Sequence, residues 1–326
     1  MTKIAVLGAG AWGTALAIQA TRAGCEVALW ARDPSRAADI AAARENTRYL
    51  PGAPLPDAIA VTADAAAALG GAALALMVVP AQSLGRVLEG LPPSDVPLVV
   101  CAKGVEAATL RLPLEIVAAL RPGLPAGILS GPNFAHEVAR GLPAASVVAA
   151  EDAGLRAMGV ALLATPGFRL YEGDDPIGAE VGGAAKNVIA IAAGAVIGAG
   201  LGENARAALV TRGLAEMARL VVALGGRAET ASGLSGLGDL LLTCSGTGSR
   251  NMSLGMALGR GERLAEVLAA RAGVTEGVAT APALVARAAA AGVELPICAA
   301  VADLVAERAT VRDAMTQLLA RPLRAE

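Results

Sequence analysis

Apolar positions in the first half of the chain come in short continuous runs rather than alternating with polar ones. The runs Lys3–Leu7, Glu26–Trp30, Ala73–Val79, Leu98–Ala102, Gly127–Ser130, Ala144–Ala149 and Phe168–Tyr171 each predict a strand. Such runs fit strands buried on both faces, as in a parallel sheet covered by helices. Between them, Trp12–Ala23, Ser35–Glu45, Ala81–Glu89, Leu112–Leu120 and Asp152–Ala164 carry helical spacing. This alternation predicts an α/β, doubly wound sheet.

The pattern changes after about Glu180. Long Ala- and Leu-rich segments follow at 180–199, 203–224, 234–242, 251–258, 261–271, 278–290 and 296–306, and they predict an all-helical second half. The turn Gly173-Asp174-Asp175-Pro176 marks the change, giving two domains, 1–178 and 179–326. A length of 326 residues has room for two.

Composition narrows the function. The net charge of −2 and 2% aromatic content lack the basic excess and stacking surfaces of nucleic-acid binders. A single histidine, His136, excludes a metal site built on several histidines. Cys25, Cys101, Cys244 and Cys298 are scattered, which fits buried thiols in a reducing compartment. Mean hydropathy is +0.57. The longest apolar run, Val188–Gly202, has 15 residues against the ~20 needed to span a bilayer. It predicts a core helix in which Gly194 and Gly198 allow close backbone contact, with no membrane insertion. The N-terminus lacks a signal-peptide pattern, so a cytoplasmic protein is expected.

Gly8-Ala9-Gly10-Ala11-Trp12-Gly13 follows the first strand and opens the first helix. In that setting glycines let the backbone approach a pyrophosphate, and the helix start supplies N–H donors. Arg32 and Asp33 stand together at the end of the second strand. An Arg there suits the 2′-phosphate of NADP, an acid the ribose of NAD. The pair is ambiguous, and Arg32 tips the expectation to NADP, with NAD also usable. Lys103, at another strand end, is the only lysine between Lys3 and Lys186. Lys186 lies among small apolar residues, where desolvation makes a lysine a candidate general base. The segment from Ser245 to Asn251 offers hydroxyls and backbone N–H groups, with Arg250 placed to fork onto a phosphate.

Together these residues resemble the bacterial NAD(P)-dependent sn-glycerol-3-phosphate dehydrogenase family. The resemblance runs through GAGAWGTALA, the NxxYLPG of Asn46–Gly52, CAKG, SGPNFAHEVARGLP, GAAKNVIAIAAG, SGLSGLGDLLLTC with GSRN, and VTEG at 274–277. It implies a Rossmann-type domain followed by an all-α domain of the 6-phosphogluconate dehydrogenase-like kind. It implies that Gly8, Gly10, Ala11, Trp12, Gly13, Arg32, Tyr49, Lys103, Ala135, Arg250, Val274 and Glu276 bind the dinucleotide. By the same resemblance Lys186 is the proton acceptor. Lys103 joins it in catalysis, and Lys103, Gly131, Asn133, Lys186, Asp239, Ser249, Arg250 and Asn251 bind substrate. Asn133 stands where the family usually has Ser or Thr. The implied reaction interconverts dihydroxyacetone phosphate and sn-glycerol 3-phosphate, supplying glycerophospholipid synthesis. No metal is required, since hydride transfer to a polarised ketone needs only charge stabilisation. A homodimer is left open. The alternatives are a 3-hydroxyacid or 6-phosphogluconate-type dehydrogenase, and a non-catalytic NADP-binding sensor. The Ser-Arg-Asn loop argues against the first, and the co-occurrence of Lys103, Lys186 and Arg250 against the second.

Overall fold

The computed structural model describes residues 1–271, 273–320 and 322. The strands are β1 (Lys3–Leu7), β2 (Glu26–Trp30), β3 (Ile59–Thr62), β4 (Leu74–Met77), β5 (Leu98–Val100), β6 (Ala126–Ser130), β7 (Ala144–Ala149) and β8 (Phe168–Gly173). Interleaved with them are α1 (Ala11–Arg22), α2 (Pro34–Ala43), α3 (Ala65–Leu69), α4 (Leu84–Gly90), α5 (Pro113–Leu120), α6 (Ala135–Ala139) and α7 (Ala153–Leu163). The helical remainder runs through α8 (Pro176–Gly198), α9 (Gly202–Ala223), α10 (Ala228–Ala231), α11 (Asp239–Cys244), α12 (Arg250–Gly259), α13 (Leu264–Ala269), α14 (Glu276–Ala290), α15 (Pro296–Val305) and α16 (Val311–Leu319). They fall into two compact units. One comprises Met1–Lys103 and Leu112–Glu180; the other comprises Gly104–Arg111 with the described residues of Val181–Glu326.

The first unit is built on one eight-stranded sheet of order β3-β2-β1-β4-β5-β6-β7-β8. Its first six strands are parallel and follow the dinucleotide-fold order. β7 departs from the all-parallel expectation, pairing antiparallel with β6 and parallel with β8. Both sheet faces are covered, which explains the continuous apolar runs. Ile4 and Val6 point into one buried cluster, and Ala5 and Leu7 into the other. Leu74 and Leu76 divide from Ala75 and Met77 in the same way.

The second unit is centred on α8, whose 23 residues exceed the apolar run expected from sequence. By length and composition it could cross a membrane, but 83% of its most apolar window is buried inside the protein. Its small residues let backbones touch. A Cβ on Gly255 of α12 would lie 2.0 Å from the Ile191 carbonyl oxygen, and one on Gly194 would lie 2.1 Å from that of Met252. Gly255→Ala should therefore lower unfolding stability by at least about 1–3 kcal/mol, because the obstructing atoms are backbone. Denaturant titration checks this; a change below ~0.5 kcal/mol, ordinary for surface sites, would show that α8 and α12 have room to spare.

Candidate active site

The glycine loop assigns a separate task to each glycine. Gly8 has φ +128°, and a Cβ there would strike the Val78 carbonyl oxygen at 2.3 Å. A Cβ on Gly13 would sit 1.8 Å from the Gly8 oxygen, so α1 can lie against β1 only without one. Gly10 is the N-cap of α1, with no side-chain cap, and a Cβ on it would meet nothing within 4 Å. It thus borders open space at a helix start, which is the geometry a pyrophosphate uses. The residues present fit a dinucleotide. Ala11 and Trp12 open α1, and Trp12 is half-buried against the core.

The loop is held by a residue outside the glycine motif. Asn46 is 1% exposed and donates from Nδ2 to the Ala9 carbonyl oxygen at 3.0 Å and to Thr14 Oγ1 at 2.8 Å. Its place in the NxxYLPG segment was the available signal. Arg32 is exposed at the end of β2. Asp33 is occupied as the N-cap of α2, where its Oδ1 accepts from the Ser35 N–H at 3.0 Å and the Ser35 hydroxyl at 2.8 Å. The Ser35 hydroxyl above all holds this carboxyl below the usual range, although burial opposes it. A capping carboxylate already committed to Ser35 is a weaker candidate for the ribose.

On β5 and β6 the strand ends bring three expected residues together. Lys103 Nζ donates to the Gly131 carbonyl oxygen at 3.1 Å. Gly131 has φ +154°, and a Cβ there would press on Ser146 at 2.8 Å. Asn133 Nδ2 donates to Ser146 Oγ at 2.5 Å and to the Ala145 carbonyl oxygen at 3.4 Å. Ala135 begins α6, and His136 beside it is exposed. Cys101, close to Lys103, is a buried free thiol that burial pushes up to about 12, with the lysine's charge opposing.

In the helical unit Lys186 is indeed desolvated, its side chain 11% exposed, but its surroundings are not purely apolar. Its Nζ donates to Asp239 Oδ1 at 2.8 Å and to Thr243 Oγ1 at 3.0 Å. The ammonium is thus paired with a carboxylate in a nearly dry site. Asp239 is 1% exposed and faces Lys186, which makes it that lysine's ion-pair partner as well as a candidate substrate residue. Thr243, not among the expected site residues, is legible from its spacing of one helical turn from Asp239.

Ser249, Arg250 and Asn251 lie at the start of α12. Ser249 Oγ caps the helix by accepting the Met252 N–H at 3.2 Å. Asn251 is 7% exposed, donates to Asn187 Oδ1 at 2.9 Å and accepts the Gly277 N–H at 3.0 Å. These two side chains set the shape of the loop, while Arg250 is exposed. Arg271, also overlooked, braces the loop by donating to the Arg250 carbonyl oxygen at 2.8 Å. Val274 is exposed, and Glu276 stands in the first turn of α14.

A glycine loop at the start of a doubly wound sheet defines a dinucleotide-binding fold, here joined to a helical unit that holds a buried Lys–Asp pair. The model of the NAD-dependent glycerol-3-phosphate dehydrogenase N-terminus matches residues 3–155, and that of the C-terminus matches residues 175–316. The glycerol-3-phosphate dehydrogenase (NAD(P)+) of Acidiphilium cryptum is 56% identical over 99% of this chain and 98% of its own. That of Rhodospirillum rubrum is 52% identical over 99% of this chain and 93% of its own. The crystal structure of glycerol-3-phosphate dehydrogenase from Coxiella burnetii superposes with a TM-score of 0.94 at 38% identity, covering 98% of this chain and 99% of that one. The chain belongs to the NAD(P)-dependent glycerol-3-phosphate dehydrogenase family.

Proposed function

We propose that this enzyme interconverts dihydroxyacetone phosphate and sn-glycerol 3-phosphate, with NADP preferred and NAD accepted. The observation that carries the reading is Lys186, a desolvated lysine whose Nζ is held by Asp239 and Thr243. When bound, the nicotinamide supplies hydride to C2 in reduction and takes it in oxidation. Lys186 handles the proton. As ammonium it protonates the alkoxide oxygen forming at C2, and as neutral amine it takes the hydroxyl proton in reverse. Lys103, steadied on the Gly131 carbonyl, polarises the ketone oxygen. Arg250 takes the phosphate through its planar fork at the start of α12, where the helix dipole adds positive charge. Binding energy from the remote phosphate is used for orientation at C2. Asn133, Gly131, Asp239, Ser249 and Asn251 complete the substrate residues of this reading; Ala11, Trp12, Arg32, Tyr49, Ala135, Val274 and Glu276 complete the dinucleotide ones. On this reading the first unit supplies most of the dinucleotide residues and the helical unit most of the substrate residues. The enzyme works in the cytoplasm, off the membrane, and feeds glycerophospholipid synthesis.

A substrate panel read by NADPH absorbance tests the reading. Dihydroxyacetone phosphate should be reduced, and phosphate-free dihydroxyacetone and a 3-keto acid should be poor substrates. Arg250→Lys keeps the charge and loses the fork, so kcat/KM for dihydroxyacetone phosphate should fall by about tenfold or more, the equivalent of one charge-assisted contact. Equal reduction of the two ketones by the wild type would overturn the phosphate assignment.

A further inference from the structure

The geometry points to Arg36 and Arg48, gathered on Tyr49, as specificity residues that read the 2′-phosphate of NADP together with Arg32. This rests on the dinucleotide reading above and adds residues to it. Arg36 lies in the first turn of α2, just past the carboxyl end of β2, where doubly wound folds take the adenosine ribose. Its Nη2 donates to the Ala9 carbonyl oxygen at 3.2 Å, so the guanidinium links the β2 end to the glycine loop. Its Cζ sits 4.4 Å from the centroid of the Tyr49 ring. Arg48 reaches the same ring, with its Cζ at 5.4 Å. Tyr49 thereby holds two guanidinium groups beside the loop.

The segment that carries Tyr49 is itself pinned. Asn46 bonds the Ala9 carbonyl and Thr14. Arg44 donates to the carbonyl oxygens of Ile59, Leu55 and Pro56. The neighbouring carboxylates are already engaged: Asp33 is held more by Ser35 than by Arg36, and Glu45 accepts the Gly52 N–H at 2.9 Å. Among the described residues none of Arg32, Arg36 and Arg48 forms an ion pair with a carboxylate. Two guanidinium groups on one ring, with Arg32 following β2 in sequence, make a local excess of positive charge in a chain whose net charge is −2. A phosphate monoester suits it through several charge-assisted bonds, whereas the bare ribose hydroxyl of NAD offers no charge to meet. Arg36 commits one of its five N–H groups to Ala9, and a stacked guanidinium keeps its edge available for a phosphate.

Calorimetric titration of the full-length protein with adenosine 2′,5′-bisphosphate and with 5′-AMP tests this without turnover. The wild type should bind the bisphosphate about tenfold to a hundredfold more tightly than 5′-AMP. Arg36→Ala and Arg48→Ala should each shrink that ratio, and the double variant should shrink it further, to the part that Arg32 alone supplies. Arg36→Lys, which keeps charge without the planar stack, should retain part of it. High salt should erode the wild-type ratio. Variants that lose affinity for both nucleotides equally, leaving the ratio intact, would make Arg36 and Arg48 supports of the loop only and overturn the proposal. So would a wild type that binds the two alike. If that wild type still oxidised glycerol 3-phosphate with NAD, the enzymatic reading would stand and only the specificity assignment would fall.

Discussion

Lys186→Met is expected to cut turnover in both directions by about 10²–10⁴-fold, the usual size of positioned acid–base catalysis. Methionine keeps the length and the apolar packing of the side chain and removes the proton carrier. It also strips Asp239, 1% exposed, of its ammonium partner at 2.8 Å. Removing one member of a buried pair costs roughly 3–5 kcal/mol, because the other charge stays behind in a dry site. The single variant therefore mixes a chemical loss with a stability loss. The double variant Lys186→Met/Asp239→Asn separates them, since the amide carries no charge to strand. It should regain stability in a denaturant melt and turn over no faster than the single variant. Recovery of turnover in the double variant would assign the single variant's defect to the stranded charge, and the proton would then have to come from another group.

The second large effect is expected in the glycine loop. Gly13→Ala places a methyl group 1.8 Å from the Gly8 oxygen, so α1 must move away from β1. Overpacking of this kind costs about 1–3 kcal/mol, and dinucleotide affinity should fall by about tenfold or more as the loop shifts. Gly10→Ala is the informative contrast. Its methyl group meets nothing within 4 Å in the protein, so stability in a melt should fall only by the small cost of replacing an N-cap glycine with alanine. Dinucleotide affinity should still fall, because the methyl occupies the space a pyrophosphate approaches through. Intrinsic fluorescence titration with NADPH reads the affinities. Unchanged affinity in Gly10→Ala would remove the pyrophosphate from this loop.

How far the sequence reveals this architecture differs from element to element. β1, β2 and β7 coincide with their apolar runs, because strands buried on both faces leave an unbroken signature. β3 escaped notice: Ile59–Thr62 is four residues long at the sheet edge, partly exposed and preceded by a proline-rich loop. The antiparallel placement of β7 is not encoded in its own composition; it follows from a connection through the five-residue α6. α16 was missed although its cap is legible, for Thr310 and Asp313 form a reciprocal capping box. The ambiguity of Arg32 and Asp33 also had a local solution. Asp-Pro-Ser is a helix-start signature, with a capping acid before proline in the first helical position, and the structure uses Asp33 in that way.

At the candidate site, residue types were easier to read than partnerships. The neighbours of Lys186 in sequence are small and apolar, yet its ammonium is met by Asp239 and Thr243 from α11, far along the chain. Asn187 and Asn251, 64 residues apart, likewise meet only in three dimensions. Spacing within one helix is visible in a sequence, whereas packing of α8 against later helices is not. The same holds for Ala9, whose carbonyl collects donors from Arg36 and Asn46.

The central claim, that Lys186 carries the proton exchanged at C2 of the substrate, is tested most directly by a pair of pH–rate profiles on the wild type. One follows kcat/KM for reduction of dihydroxyacetone phosphate, the other for oxidation of sn-glycerol 3-phosphate. Reduction requires the ammonium, so its rate should fall as pH rises; oxidation requires the neutral amine, so its rate should fall as pH drops. The two limbs should share one inflection, and both should vanish in the residual activity of Lys186→Met/Asp239→Asn. Limbs that persist unshifted in that variant would contradict the account, because the titrating group would then be something other than Lys186.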